Sequence, residues 1–176
     1  MYRRRMRRFT TALIIAMLTV FCSSAQSFDH VENAVYVYNF IRHTSWPEKK
    51  QSITVGVIGT TETSTELRRL FARKKNANST VFQVRDMKPS EADQADVLLI
   101  ARDAANSLKA INTATSGQSI LIISEKENMS AVGACISFFI DEDDDFKTGY
   151  QLSLRNCAAR HLQVAAPIRD NAALTR

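Results

Sequence analysis

The sequence predicts an α/β fold: a three-layer α/β/α sandwich with a mixed sheet, parallel strands first and an antiparallel C-terminal hairpin. Three observations carry this expectation. The runs at 53–58 (ITVGVI), 96–101 (DVLLIA) and 119–123 (SILII) are apolar at almost every position. A strand that is apolar on both sides belongs in a parallel sheet covered by helices on both faces. Segments of helical periodicity alternate with these runs, as a doubly covered parallel sheet requires. Finally, 134–140 (ACISFFI) and 149–155 (GYQLSLR) flank the acidic run Asp141, Glu142, Asp143, Asp144, Asp145, and two strands joined by a short polar turn form a hairpin.

The elements follow in order. Residues 31–45 read as a helix, because Val31, Ala34, Val35, Tyr38 and Ile41 recur at helical spacing. Trp46-Pro47 ends it, since the residue before a proline avoids the helical region. The β-branched run 53–58 is a buried strand, followed by Gly59 and a threonine-rich turn. Residues 65–75 form a basic amphipathic helix with Leu67, Leu70 and Phe71 inward. The alternation in 80–84 (TVFQV) is a strand, 89–93 a short helix opened by Pro89, 96–101 a strand, 104–111 a helix and 119–123 a strand. A last helix starts near Asn156 and runs to about Val164.

The first 25 residues have a different character. Arg3, Arg4, Arg5, Arg7 and Arg8 precede an apolar run from Ala12 to Phe21, then Ser23-Ser24-Ala25. A basic head, a short apolar middle and a small-residue exit are the parts of a secretory signal. The apolar middle is shorter than the roughly 20 residues a spanning helix needs. Cleavage is expected after Ala25, so that 1–25 is a removed signal and 26–176 a single domain. Retention as an anchor, or lipid attachment at Cys22, are the other readings of the segment; Phe21 is the wrong neighbour for the latter.

Cleavage changes the charge argument. The chain carries 23 Lys and Arg against 18 Asp and Glu. All five arginines named above leave with the signal, and the remainder is formally neutral. A basic isoelectric point would otherwise suggest nucleic acid as a partner, and that support disappears. The cysteines fall from three to two. In an exported protein such a pair can oxidise, and a Cys135–Cys157 bridge would be worth roughly 3 kcal/mol by loop closure. The alternative is two buried thiols acting as small hydrophobes. In the hairpin register Cys135 lies opposite residue 152, so Cys157 must curl back to reach it.

Motifs for chemistry are sparse. Asp141, Asp143 and Asp145 have the alternate spacing of a calcium loop, but Phe146 and Leu152 stand where that loop needs Gly and Glu. Gly56 and Gly59 lack the third glycine and the spacing of a dinucleotide site. The carboxyl end of a parallel sheet is nonetheless where such folds bind ligands. Thr60, Thr61 and Thr63 offer hydroxyls there and are the ligand-binding candidates. His30, His43 and His161 have no second ligand at zinc spacing, and no G-x-S-x-G elbow is present. No enzyme, metal or cofactor is expected. The aromatic residues are more suggestive. Tyr36, Tyr38 and Phe40 alternate, so a helix cannot place all three on one stripe. Tyr36, Phe40 and Trp46 are therefore the candidates for a partner-binding face, against ordinary core packing.

From Tyr36-Val37-Tyr38-Asn39-Phe40-Ile41 and Trp46-Pro47 onward, the chain resembles the YfiR-like family of periplasmic proteins. The glycine-ended strand at 53–59, the apolar strands at 96–100 and 120–124, Gly133-Ala134-Cys135-Ile136-Ser137-Phe138, and Leu152-Ser153-Leu154 with Leu162 follow in the order of that family. The match spans about 31–170. It implies a periplasmic regulator that inhibits an inner-membrane diguanylate cyclase, or a kinase, through its periplasmic domain, with release by envelope or redox stress. Disulfides matter in such proteins, which suits Cys135 and Cys157. The resemblance implies contact with the membrane only through that partner and admits a homodimer. The competing expectation is a periplasmic small-molecule sensor using residues 59–63.

Overall fold

The computed structural model describes residues 29–74, 80–141 and 147–175. The proposed signal segment and the tip of the acidic turn lie outside them. The fold is the expected three-layer sandwich. Helix α1 (His30–Arg42) leads into the two-residue strand β1 (Thr44–Ser45). Strand β2 (Ser52–Ile58), helix α2 (Thr63–Lys74) and strand β3 (Val81–Asp86) follow. Then come β4 (Val97–Ile100), α3 (Leu108–Ala114) and β5 (Leu121–Ser124). The C-terminal part holds β6 (Ile136–Asp141), β7 (Lys147–Leu152), α4 (Leu154–Ala159), β8 (Gln163–Val164), α5 (Ala166–Asp170) and β9 (Leu174–Thr175).

The main sheet runs β3-β2-β4-β5-β6-β7-β9. Its pairs are parallel from β3 to β6, antiparallel between β6 and β7, and parallel again between β7 and β9. Every residue of β4 and β5 is buried. Alternate side chains serve two separate cores. Val97, Leu99, Leu121 and Ile123 face α1, α2, α4 and α5. Leu98, Ile100 and Ile122 face α3 and the short helical turns before and after β4. Continuous apolar runs are thus the sequence image of a strand with two cores to fill.

Several expectations need correction. Helix α1 ends at Arg42, and Thr44–Ser45 is a strand paired with β8. Val31 and Val35 are not core residues; both are exposed, and the buried face is Asn33, Ala34, Val37, Tyr38, Phe40 and Ile41. Helical spacing alone could not tell which of two apolar stripes turns inward. The last helix is shorter than expected and starts earlier, at Leu154, where the Ser153 hydroxyl caps Asn156 N–H at 3.3 Å. Strands β1, β8 and β9 are two residues each, too short to leave a periodic signal. The hairpin register is Ile136 opposite Leu152.

The broad buried face of α1 explains the aromatic run. Tyr38 meets Phe71 and Phe82 at 6.2 and 6.0 Å between ring centroids, towards α2 and β3. Phe40 turns the other way, to Phe138 at 5.8 Å and Tyr150 at 4.8 Å. The helix lies in the middle of its layer, so both flanks meet core. Phe40 is therefore not a partner-facing residue: it has no exposed surface at all. Truncating it leaves a cavity between α1 and the hairpin, and Phe40→Ala is expected to cost about 3–5 kcal/mol in urea denaturation. A cost under about 1 kcal/mol would contradict this packing.

Candidate functional site

Three clusters contain the residues singled out from the sequence. The first lies at the carboxyl ends of β2, β4 and β5. The chain leaves β2 for β3 on one side and returns to β4 on the other, so the connections diverge between β2 and β4. Such a switch point opens the crevice where doubly wound folds bind ligands. Here the loops on its two sides are bonded to one another. Gly59 has φ +93°, and a Cβ there would collide with the Asp103 carboxylate and with Ala104. This lets the loop press against the segment after β4, where Thr60 N–H donates to both carboxylate oxygens of Asp103 at 3.1 Å.

The other two threonines are engaged in the same way. Thr61 Oγ1 donates to Glu125 Oε1 at 2.6 Å and accepts from Thr63 N–H at 3.1 Å. Thr63 is fully buried, with its hydroxyl 3.0 Å from His30 Nδ1. Glu125 is only 3% exposed. One turn beyond His30, Asn33 is wholly buried, and neither its amide nitrogen nor its oxygen has a hydrogen-bond partner among the described residues. Such a group carries its desolvation penalty without relief.

The second cluster is aromatic. Tyr36 is half-buried and packs on Phe40, Phe138 and Tyr150, with centroids 6.0, 6.1 and 5.5 Å away. Its hydroxyl is pushed up by burial and then by Glu32. Burial, with Tyr36 second, pushes Tyr150 up to about 12, and the Tyr150 hydroxyl donates to Ile168 O at 2.8 Å. Trp46 is half-buried some distance away in the fold, and its Nε1–H donates to Ser119 O at 3.0 Å. Tyr36 and Phe40 are brought together; Trp46 does not join them in any ring contact among the described residues.

The third cluster is the cysteine pair. Both are buried thiols. Helix α4 curls Cys157 back over the start of β6, and the two side chains are in hydrogen-bond contact. That bond holds Cys135 below the ordinary thiol value despite its burial, with Ile122 N–H and Arg160 assisting. The same bond and burial push Cys157 up. Arg160, 4% exposed, belongs to this cluster and was not legible beforehand. It donates to Thr115 O at 3.2 Å, Gln118 O at 3.5 Å, Asn112 Oδ1 at 2.6 Å and Thr115 Oγ1 at 3.3 Å. A cation at the carbonyl end of α3 is favourable to the helix dipole, so Arg160 ties the C-terminal segment to the opposite helical layer.

Sequence reasoning also missed Asp103 and Glu125. Their one signal was position: each is an acid just after a strand buried on both faces. Among the described residues no group of His, Cys, Asp and Glu could hold a metal ion, and no helix is long and apolar enough to cross a membrane.

Fold and clusters together define a doubly wound α/β domain whose switch-point loops are bonded to one another. The family model described as DUF4154, YfiR/HmsC-like, matches residues 32–169, and the chain belongs to that family. The family is periplasmic and regulatory rather than catalytic. A comparison with curated proteins gave no match. Among solved structures, the chain is similar to a conserved domain protein from Vibrio cholerae O1 biovar El Tor, with a TM-score of 0.55 and 8% identity. It is equally similar to an ABC domain in complex with L-Trp from Streptococcus pneumonia, with a TM-score of 0.55 and 9% identity. Each comparison covers 84% of this chain and 60% of the other. At these identities the likeness concerns the fold alone.

The orphaned amide can be tested directly. Asn33→Leu removes the unpaired polar group at similar volume, and is expected to raise unfolding free energy by about 1–3 kcal/mol in urea titrations. A loss of stability instead would mean that a water or small polar molecule pairs with the amide in solution.

Proposed function

We propose that this protein is a periplasmic regulator that binds and represses an inner-membrane signalling enzyme, a diguanylate cyclase. The observation that carries the reading is the family match over residues 32–169. The N-terminal 1–25 would be its cleaved export signal. Repression by docking requires that the domain bind the inactive arrangement of the enzyme more tightly than the active one. Deletion of the gene is expected to raise cellular cyclic-di-GMP, measured by mass spectrometry of nucleotide extracts. Unchanged levels in the deletion strain would sink the reading.

Cys135 and Cys157 are the redox element in this proposal. Bridging them releases two protons and passes two electrons to a disulfide-bearing oxidant, such as export compartments supply. Their contact in the reduced fold means that little chain movement is needed. Protein purified from the periplasm and alkylated under denaturing conditions is expected to show no free thiol until reduced. Two alkylated cysteines before reduction would rule the bridge out.

A small-molecule sensor is the second reading, and the unpaired Asn33 amide is the observation that favours it. Closure of the crevice by Asp103 and by the Thr61–Glu125 bond counts against it. The Asn33→Leu measurement decides between an empty and an occupied site.

A further inference from the structure

The switch-point loops are bonded to one another, but one edge of the sheet is open. Among the described residues, β3 pairs with β2 and nothing else. Val81 N–H donates to Gln51 O at 3.0 Å, and Met87 N–H donates to Val57 O at 2.8 Å. The two-residue period of a strand therefore turns the backbone groups of 81, 83, 85 and 87 towards β2. Those of Phe82, Val84 and Asp86 face away from the sheet. An edge of this kind is a template for another strand.

The surroundings of the edge are shaped and charged. Two depressions of about 600 and 490 Å³ share Thr80 and Phe82 and so run together along it. The charged lining of the first is Arg42, Glu48, Lys49 and Lys50, beside Trp46 and Thr44, and the second is lined by Arg68, Phe71 and Val84; Lys50 and Arg68 are already paired with Asp96 and Asp86. Arg42 and Lys49 are exposed and form no ion pair among the described residues. Thr44 Oγ1 has no hydrogen-bond partner among the described residues although the residue is only 8% exposed. Val81, on the strand itself, is 48% exposed.

We propose that the outer edge of β3 captures an extended, acidic segment of a partner protein, which adds a strand to the sheet. Backbone pairing with Phe82 and Val84 supplies affinity, and alternate side chains of the segment enter the apolar groove. The cations select acidic side chains and disfavour a second copy of this chain, which would bring the same cations against them. That the partner is the repressed membrane enzyme rests on the function proposed above; the edge and its chemistry do not.

The probe is a blocked peptide of about ten residues alternating Val and Glu, with a Val/Lys peptide as its control. Fluorescence anisotropy with the mature protein is expected to show saturable binding of the Glu peptide only. Val84→Pro deletes an outward N–H and leaves the β2 ladder intact, as proline is tolerated on an edge. It should weaken binding by at least about tenfold, and so should the Arg42→Glu/Lys49→Glu double variant. Slowed hydrogen exchange at the Phe82 and Val84 amides of the unaltered protein, on adding the peptide, gives a readout independent of any variant's folding. The proposal is overturned by equal binding of both peptides, by full binding to folded Val84→Pro protein, by unchanged exchange at these amides, or by self-association through β3. In cells, a deletion without effect on cyclic-di-GMP counts against the regulatory function. A deletion that raises it, fully reversed by the Val84→Pro gene, counts against the edge.

Discussion

Burial of β4 and β5 on both faces is the constraint on which the rest of this structure depends. Strands this apolar cannot leave either face in water. Each layer of helices therefore has a core waiting for it, and the helices need only one apolar stripe to dock. The chain meets this demand unequally. One face is covered by α1, α2, α4 and α5, with aromatic rings filling the width of the layer. The other is covered by α3 and short helical turns, with small residues such as Ala92, Ala95 and Ala134 allowing close approach. The aromatic run in α1 follows from this inequality. A central helix over a wide sheet must fill space on both its flanks.

The C-terminal third closes the fold by crossing between layers. After the hairpin, Ser153 caps α4 and turns the chain back, which brings Cys157 to Cys135. Arg160 then reaches the end of α3 in the opposite layer. β8 returns to pair with β1 beside the end of α1. Each of these contacts joins segments distant in sequence. Together they put the thiol pair in one core and Arg160, three residues on, against the helix of the other layer.

The same architecture distinguishes two places where something else could bind. At the switch point the loops carry acids and hydroxyls that satisfy one another, so an incoming ligand must displace Asp103 or part Thr61 from Glu125. At the β3 edge the outward backbone groups have no strand partner among the described residues, and the nearby cations Arg42 and Lys49 form no ion pair there, with Glu48 the one acid lining the same depression. A docking domain needs the second kind of surface more than the first. Backbone pairing tolerates many sequences, while charge and groove shape restrict which of them is held.

The amino-acid sequence by itself determined the fold class and the order of the long strands. Those features are local: unbroken apolar runs, β-branched residues, an acidic turn between two strands. It also placed Thr60, Thr61 and Thr63 at the carboxyl end of the sheet. Only the tertiary structure decided which stripe of α1 is buried, because Val31 and Val35 are as apolar as Ala34 and Val37. It decided that Phe40 belongs to the core, and it paired the two-residue strands, which carry no periodicity. Asp103, Glu125 and Arg160 gained their roles in the same way. Each bonds to a residue more than 40 positions away, and the chemistry of a contact at that separation is set by packing, which no local pattern records.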